Sequence, residues 1–350
     1  MSVNYKSVQW NRQKIIYDVI LLGTVALYIF LFQHLANQID PSIDARGLRI
    51  RAYGSAAFIL LHVILSIGPL SRLSPKFYPL LFNRRHMGVT MFFLGLNHAR
   101  VARIWYHDFG NVDPSISVFV SNLHYLSFIR FPFEILGVGA LVIFFFMAAT
   151  SHDFWLVNLT APVWKALHMG VYAAYALLVG HVTIGALQSN RHPFLAIAVG
   201  VGLVWIVGIH WFTSWREMQK DNNDLAKTNE DYFVEVGRLG EIQEKRAKVV
   251  TIGGERVAVF KYDGKVSAVS NVCQHQNGPL GEGKIVYDCI TCPWHGFQYV
   301  PETGASPPPF TEKIPTFDVR LEGDRIFVRT IPHPPGTPVT PALIAMEVAE

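Results

Sequence analysis

The first 215 residues contain long apolar runs with almost no interruption, among them GALVIFFFMAA and FLAIAVGVGLVWIVGI. A bilayer core about 30 Å thick is crossed by about 20 mostly apolar residues in a helix. In lipid such a segment must satisfy its own backbone hydrogen bonds, so a helix is the expected form. Six stretches approach the required length: Ile15–Phe32, Ala52–Leu70, Met87–Tyr106, Phe133–Ala149, Trp164–Leu187 and Pro193–Trp215. The third is the most polar, because it carries Arg100 and Arg103. A large soluble helical core is the competing reading, but such cores do not string together this many uncapped apolar spans. No A-x-A-like cleavage site follows LYIFLFQHLANQ, so the first run reads as a span and not a leader.

The composition changes after residue 215. The expected fold is an α-helical membrane bundle of about six transmembrane helices over residues 1–215, then a polar linker over 216–231. A small all-β domain over 232–331 and a Pro-rich, extended tail over 332–350 complete it. The formal charge of +4 is small and scattered, which excludes the basic footprint of a nucleic-acid-binding protein. With the N-terminus inside, the inner segments carry ten basic residues: Lys6, Arg12, Lys14, Arg72, Lys76, Arg84, Arg85, Lys165, Arg216 and Lys220. The outer segments carry five: Arg46, Arg49, Arg51, Arg130 and Arg191. The positive-inside rule therefore expects both termini on the cytoplasmic side of a plasma (inner) membrane.

Ionisable side chains at membrane depth are functional candidates by default. His62 lies on the second span, His98 on the third, His168 and His181 on the fifth and His210 on the sixth, with His86 entering the third. His168 and His181 are thirteen residues apart, about 20 Å along a helix axis. That separation suits two hemes stacked across a bilayer, each held by neutral imidazoles. An ideal helix turns the two rings about 140° apart, so the hemes approach from different sides or the helix is distorted. Matching depths pair His62 with His168 near the inner face and His98 with His181 near the outer one. His86 and His210 compete for the inner place. The other reading makes these histidines interhelical hydrogen-bonding groups or a proton path. Arg100 suits the propionates of an outer heme or the outer headgroups, and both readings stand.

NRRHMGVTMFFLGLNH resembles the third helix of the ferric-reductase-like transmembrane family, with His98 thirteen residues after Arg85. ILSIGPLSR and WKALHMGVYAAYALLVGH are similar to the same family, most of all to the heme-binding membrane subunit of the periplasmic methionine sulfoxide reductase system. The resemblance covers about residues 50–215. It implies b-type heme bound by His98, His168 and His181. His62 is outside that subunit's pattern and rests on depth alone. In the NADPH oxidases and ferric reductases of the same broad family, the inner ligand sits nearer the place of His86.

All three cysteines of the chain fall within CQHQNGPLGEGKIVYDCITCPWHG. Cys273-x-His275 and Cys292-x-x-His295 are separated by sixteen residues, and each half supplies one thiol and one imidazole. A Rieske [2Fe–2S] cluster needs that set, with thiolates on one iron and imidazoles on the other. The glycines and prolines around both halves suit tight loops that bring backbone N–H groups to sulfur. A structural zinc site uses the same ligand types but not these spacings and glycines. RAKVVTIGGERVAVFKYDGKVSAVSNV and TFDVRLEGDRIFVR alternate short β runs with Gly-Gly, Asp-Gly and similar turns. The domain resembles the ferredoxin-type Rieske family. High-potential members of that family carry a loop disulfide and a serine bonding a cluster sulfur. Here Trp294 and the residues around Asn277 leave no such bridge, and Phe297 stands at the serine place, while Tyr299 is retained. The resemblance implies a low to intermediate potential. Cys289 is left as a packed thiol.

Heme in the membrane and an iron–sulfur cluster on one face would make a one-electron conduit. No Gly-rich dinucleotide fingerprint opens a βαβ unit, so no flavin or nicotinamide domain is expected. The expected function is electron transfer between a cytoplasmic donor or acceptor and a quinone or outer-face redox protein, in contact with membrane lipid. A non-catalytic redox subunit or sensor of a larger respiratory complex is the alternative. A Rieske oxygenase would need a further mononuclear iron on two histidines and a carboxylate, for which residues 332–350 offer no room.

Overall fold

A computed structural model describes residues 12–127, 129–152, 155, 158–159, 161–189, 193–226 and 232–344. Lys6 and Arg191 of the charge count, the end of the expected linker (227–231) and the end of the tail (345–350) lie outside the described residues.

Long helices occupy all six expected stretches. They are α1 (Arg12–Ile39), α2 (Ala45–Leu73), α3 (Arg84–His107), α5 (Phe133–Ala149), α6 (Ala161–Ile184) and α7 (Pro193–Ala226), and a short α4 (Pro114–Val120) lies between α3 and α5. Among the described residues, four candidate spans are long and apolar enough to cross a membrane: α1, α2, α7 and the segment Pro162–Gln188, which takes in nearly all of α6. Helix α5 is apolar but has only 17 residues. Helix α3 has the length but carries Arg84, Arg85, Arg100 and Arg103. α4 begins where Asp113 accepts from the Ser115 N–H at 2.8 Å and Pro114 follows, a standard N-cap with proline at the first helical position.

The described residues divide into two compact units, one built from residues 12–68 and 83–210, the other from 69–82 and 211 onward. In the first, α5 packs against α6 and α3. Large apolar side chains stay on the surface, including Val19, Ile20, Phe30, Phe146, Val201 and Val204. Water does not tolerate an apolar surface of this extent, and lipid does. The protein is a membrane protein.

The second unit holds an all-β domain: β1 (Phe233–Arg238), β2 (Arg246–Ile252), β3 (Glu255–Tyr262), β4 (Lys265–Ser270), β5 (Lys284–Val286), β6 (Cys289–Thr291), β7 (Gln298–Tyr299), β8 (Thr316–Phe317), β9 (Val319–Glu322), β10 (Arg325–Arg329) and β11 (Ala342–Leu343). They form antiparallel sheets in the orders β1-β10-β9, β11-β4-β3-β2 with β8 also on β4, and β5-β6-β7. The β2–β3 hairpin turns at Gly253 and Gly254, with φ of +57° and +84°. Side chains at both turn positions would be strained there, which is why the sequence reads Gly-Gly. One core gathers Val236, Val250, Val257, Val266, Phe317 and Ile326. A second gathers Phe260, Leu280, Ile290, Tyr299 and Ile314 around Cys273 and Cys292. The Pro-rich tail adds β11 to β4, pairing Ala342 with Val266.

Helix α7 runs on to Ala226, through most of the segment expected as a linker. Its polar end binds the sheet. Lys220 Nζ donates to Val249 O at 2.6 Å, and Asp221 accepts from Thr251 Oγ1 at 2.8 Å. Arg256 of β3 pairs with Glu217 at 3.0 Å and Asp221 at 2.6 Å. The 69–82 segment adds Arg72–Glu282 at 3.1 Å and Tyr78 under the Arg246 guanidinium at 5.0 Å.

Candidate functional site

Cys273 lies just after β4 and Cys292 just after β6, and each opens a tight loop. The two loops have the same backbone wiring. Cys273 N donates to Gly278 O at 2.9 Å and Asn277 N to Cys273 O at 2.7 Å. Cys292 N donates to Phe297 O at 2.8 Å and Gly296 N to Cys292 O at 2.9 Å. The fourth residue after each cysteine takes positive φ, +57° at Asn277 and +75° at Gly296. Asn and Gly are the residues that accept this conformation most readily. The half-motifs of the sequence are therefore two copies of one turn.

These turns bring the candidate ligand atoms together. Both thiols are buried and within hydrogen-bond reach of each other. The N–H groups of His275 and Gln276 bond Cys273, and those of Trp294 and His295 bond Cys292. A Cβ on Gly278 would lie 2.7 Å from Cys292 Sγ, so only glycine fits against that sulfur. The His275 and His295 rings stand 5.4 Å apart at 82°, with buried Nδ1 atoms, and Phe297 stacks on His275 at 4.8 Å. Tyr299 Oη lies 3.4 Å from Cys273 Sγ and accepts from Gln274 N at 2.9 Å. Burial, reinforced by the Cys273 sulfur, holds the Cys292 thiol well above the usual range. Burial also acts against the Cys273 thiolate, but hydrogen bonds with Cys292, Tyr299 and the backbone pull that thiol down overall. Among the described residues, no three His, Cys, Asp or Glu side chains converge as a single-ion site. One thiol pair beside one imidazole pair fits the divided ligation of a two-iron cluster better than tetrahedral zinc. Cys289 sits buried in β6, its thiol pushed up to about 12 by burial, with Asp288 and Glu302 adding to the effect.

In the membrane unit, His98 and His181 meet. Their rings are 6.1 Å apart and perpendicular, at 88°. Their settings repeat. His98 Nδ1 lies 2.9 Å from Ile50 O on α2, and His181 Nδ1 lies 2.9 Å from Phe133 O on α5. One turn beyond each carbonyl is a glycine. A Cβ on Gly54 would come within 2.8 Å of His98 Nδ1, and one on Gly137 within 2.9 Å of His181 Nδ1. A carbonyl acceptor fixes the proton on Nδ1 and makes Nε2 the lone-pair atom. Two metal–nitrogen bonds of about 2 Å each, plus the ring radii, span about 6 Å. The pair fits a metal held between two imidazoles.

The histidines expected near the inner face differ from the depth-matched pairing. His62 Nδ1 bonds its own helix at Phe58 O (2.8 Å), and its Nε2 meets Tyr175 Oη at 3.0 Å. A Cβ on Gly202 would lie 2.5 Å from that same Nε2. His168 bonds Trp164 O at 3.0 Å, stacks on the Trp164 ring at 3.7 Å and keeps a buried Nε2 with no hydrogen-bond partner among the described residues. Among the described residues His62 and His168 share no ring contact. Depth fixed their level but not their facing sides, and the two rings turn to different neighbours. His86 Nδ1 meets both oxygens of Asp18 on α1, at 2.7 and 2.8 Å. His210 bonds Ile206 O on its own helix at 2.9 Å. Arg100 is exposed and makes no ion pair among the described residues. Sequence reasoning missed Asp18, Tyr175 and the three glycines. A lone acid in an apolar run was the signal available for Asp18.

The family described as "Ferric reductase like transmembrane component" matches residues 51–179, and the "Rieske [2Fe-2S] domain" matches residues 232–318. The ferredoxin component of the naphthalene 1,2-dioxygenase system of Pseudomonas aeruginosa is 30% identical over 97 residues, 27% of this chain and 93% of that protein. Cholesterol 7-desaturase nvd 1 of Ciona intestinalis is 34% identical over 104 residues, 29% of this chain and 22% of that protein. Magnetosome protein MamZ of Magnetospirillum gryphiswaldense is 27% identical over 172 residues, 49% of this chain and 24% of that protein. The matched segments thus span under a quarter of the desaturase and of MamZ.

Proposed function

We infer that the chain is a membrane redox protein, because residues 51–179 match the ferric-reductase-like transmembrane family and residues 232–318 the Rieske [2Fe–2S] domain. We propose that it passes single electrons between a Rieske cluster on the cytoplasmic side of the plasma membrane and b-type heme in the bilayer, to or from a quinone or an outer-face redox protein. The bound cluster and hemes supply the one-electron chemistry, and the protein binds, orients and tunes them.

The residues divide this work. Cys273 and Cys292 would hold one iron of the cluster and His275 and His295 the other, and the loop N–H groups that bond the two thiols would face its sulfurs. His98 and His181 would hold the outer heme, each oriented through Nδ1 by a carbonyl and kept in place by a glycine. The single observation that carries this reading is the repeated carbonyl–imidazole–glycine setting of those two facing rings. His168 and His86 would hold a second heme nearer the inner face. His86 is preferred to His62 because the Tyr175 hydroxyl and Gly202 already crowd Nε2 of His62.

The test is a count of heme and non-heme iron in the purified, heme-replete protein, with reduced-minus-oxidised spectra. Two b hemes and two non-heme irons per chain are expected. Cluster iron without any heme would overturn the reading and leave the helices as an anchor.

A further inference from the structure

Within helices α1, α2, α3 and α6, Asp18 is the one carboxylate. A carboxylate at membrane depth is costly and persists where it has a partner and a task. Its partner is His86 on α3, and both carboxylate oxygens lie within 2.8 Å of Nδ1. The two side chains are 24% and 20% exposed, so the pair is mostly withdrawn from solvent. Asp18 also lies outside the segment that matches the ferric-reductase-like family.

From this pair we infer that Asp18 is a positioning residue for the second heme: its carboxylate accepts the Nδ1 proton of His86 and would thereby orient Nε2 and set the strength of His86 as a heme ligand. This rests on the assignment of His86 and His168 to that heme. The chemistry follows from the hydrogen bond. A neutral imidazole that donates Nδ1–H to a carboxylate carries more electron density on Nε2 than one that donates to a carbonyl. His98 and His181 donate to carbonyls, and His86 to a carboxylate. The stronger donor stabilises the ferric state, and the adjacent negative charge acts in the same direction. A heme held by His86 would therefore have the lower potential of the two. A merely structural Asp18–His86 contact would hold α1 against α3 and leave the potentials alone.

The experiment is a spectroelectrochemical titration of purified full-length Asp18→Asn and Asp18→Glu beside the unaltered protein, with heme content read on the same samples. Asp18→Asn should raise the midpoint of one heme only and weaken its retention about 10–100-fold. Asp18→Glu should restore both. The other heme and the cluster iron report on folding within each sample. If His86→Ala and His168→Ala each keep both hemes, the ligand assignment fails. If those variants lose one heme while Asp18→Asn leaves both midpoints and retention unchanged, the assignment stands and the positioning role of Asp18 is overturned.

Discussion

Replacing Gly54 or Gly137 by alanine separates heme binding from folding. Each glycine lies inside a helix, where alanine is worth about 0.8–1.0 kcal/mol more on propensity alone. The new methyl would stand 2.8 Å from His98 Nδ1 in Gly54→Ala, or 2.9 Å from His181 Nδ1 in Gly137→Ala. Ordinary contact begins at 3.4 Å, so the imidazole must retreat by about half an ångström. That stretches a 2.9 Å bond to the Ile50 or Phe133 carbonyl to about 3.4–3.5 Å, the edge of hydrogen bonding. Crowding costs about 1–3 kcal/mol and the lost bond about 0.5–1.5 kcal/mol. The propensity gain offsets part of this, so the fold loses about 1–3 kcal/mol and survives. The histidine, however, loses the acceptor that orients it, and outer-heme affinity falls about 10–100-fold. Gly88→Ala and Gly200→Ala, where a Cβ meets nothing within 4 Å, serve as controls and should keep both hemes. The assay is heme per chain after exhaustive washing in detergent, with thermal unfolding on the same samples. Full heme and an unchanged spectrum in both Gly54→Ala and Gly137→Ala would refute the reasoning.

His181→Ala should remove one heme of two and leave the cluster reducible, read as heme per chain and as the reduced-cluster EPR signal. Tyr299→Phe removes the hydroxyl beside Cys273 Sγ and should lower the cluster midpoint in a redox titration, because a donor near sulfur favours the reduced, more negative state. Cys289 should resist iodoacetamide at pH 8 in the folded protein, since the thiolate, whose pKa is about 12, is scarce there and the side chain is buried. Peptide mapping should find it unlabelled until denaturant is added. Arg256→Ala breaks ion pairs to Glu217 and Asp221 that are about a third exposed, worth about 0.2–1 kcal/mol each. Faster amide exchange over Arg246–Ile252 is the expected readout, and 1 M salt should mimic part of it in the unaltered protein.

Local patterns carried the most information. Cys273-x-His275 and Cys292-x-x-His295 identified the cluster loops because ligands, glycines and turn residues all lie within one short segment. The β hairpins were legible for the same reason, as at Gly253–Gly254. Contacts between helices were harder. Depth along a span brought His98 and His181 to one level, and they do meet. Depth also matched His62 to His168, but which way a side chain faces depends on helix rotation and packing, and His62 turns to Tyr175 instead. The glycines at 54, 137 and 202 looked like ordinary small residues of a membrane helix. Their meaning lies in which ring each one admits, and sequence spacing does not record that. Apolar runs located the six long helices among the described residues, yet the arginines of α3 and the shortness of α5 leave four of these that qualify as spans by length and composition. Composition marked residues 216–231 as polar. It did not reveal that α7 continues to Ala226 because Lys220, Asp221 and Asp224 find partners on β2 and β3.

The central claim is that the cluster and the heme chain act in series, and reconstituted vesicles test it most directly. A membrane-impermeant reductant is supplied on the side bearing the Rieske domain, and heme reduction is followed optically in the unaltered protein and in Cys292→Ser. The account predicts rapid heme reduction in the unaltered protein and its near-complete loss in Cys292→Ser, with heme content intact. Equal rates of heme reduction in the two proteins would show that electrons bypass the cluster and would contradict it.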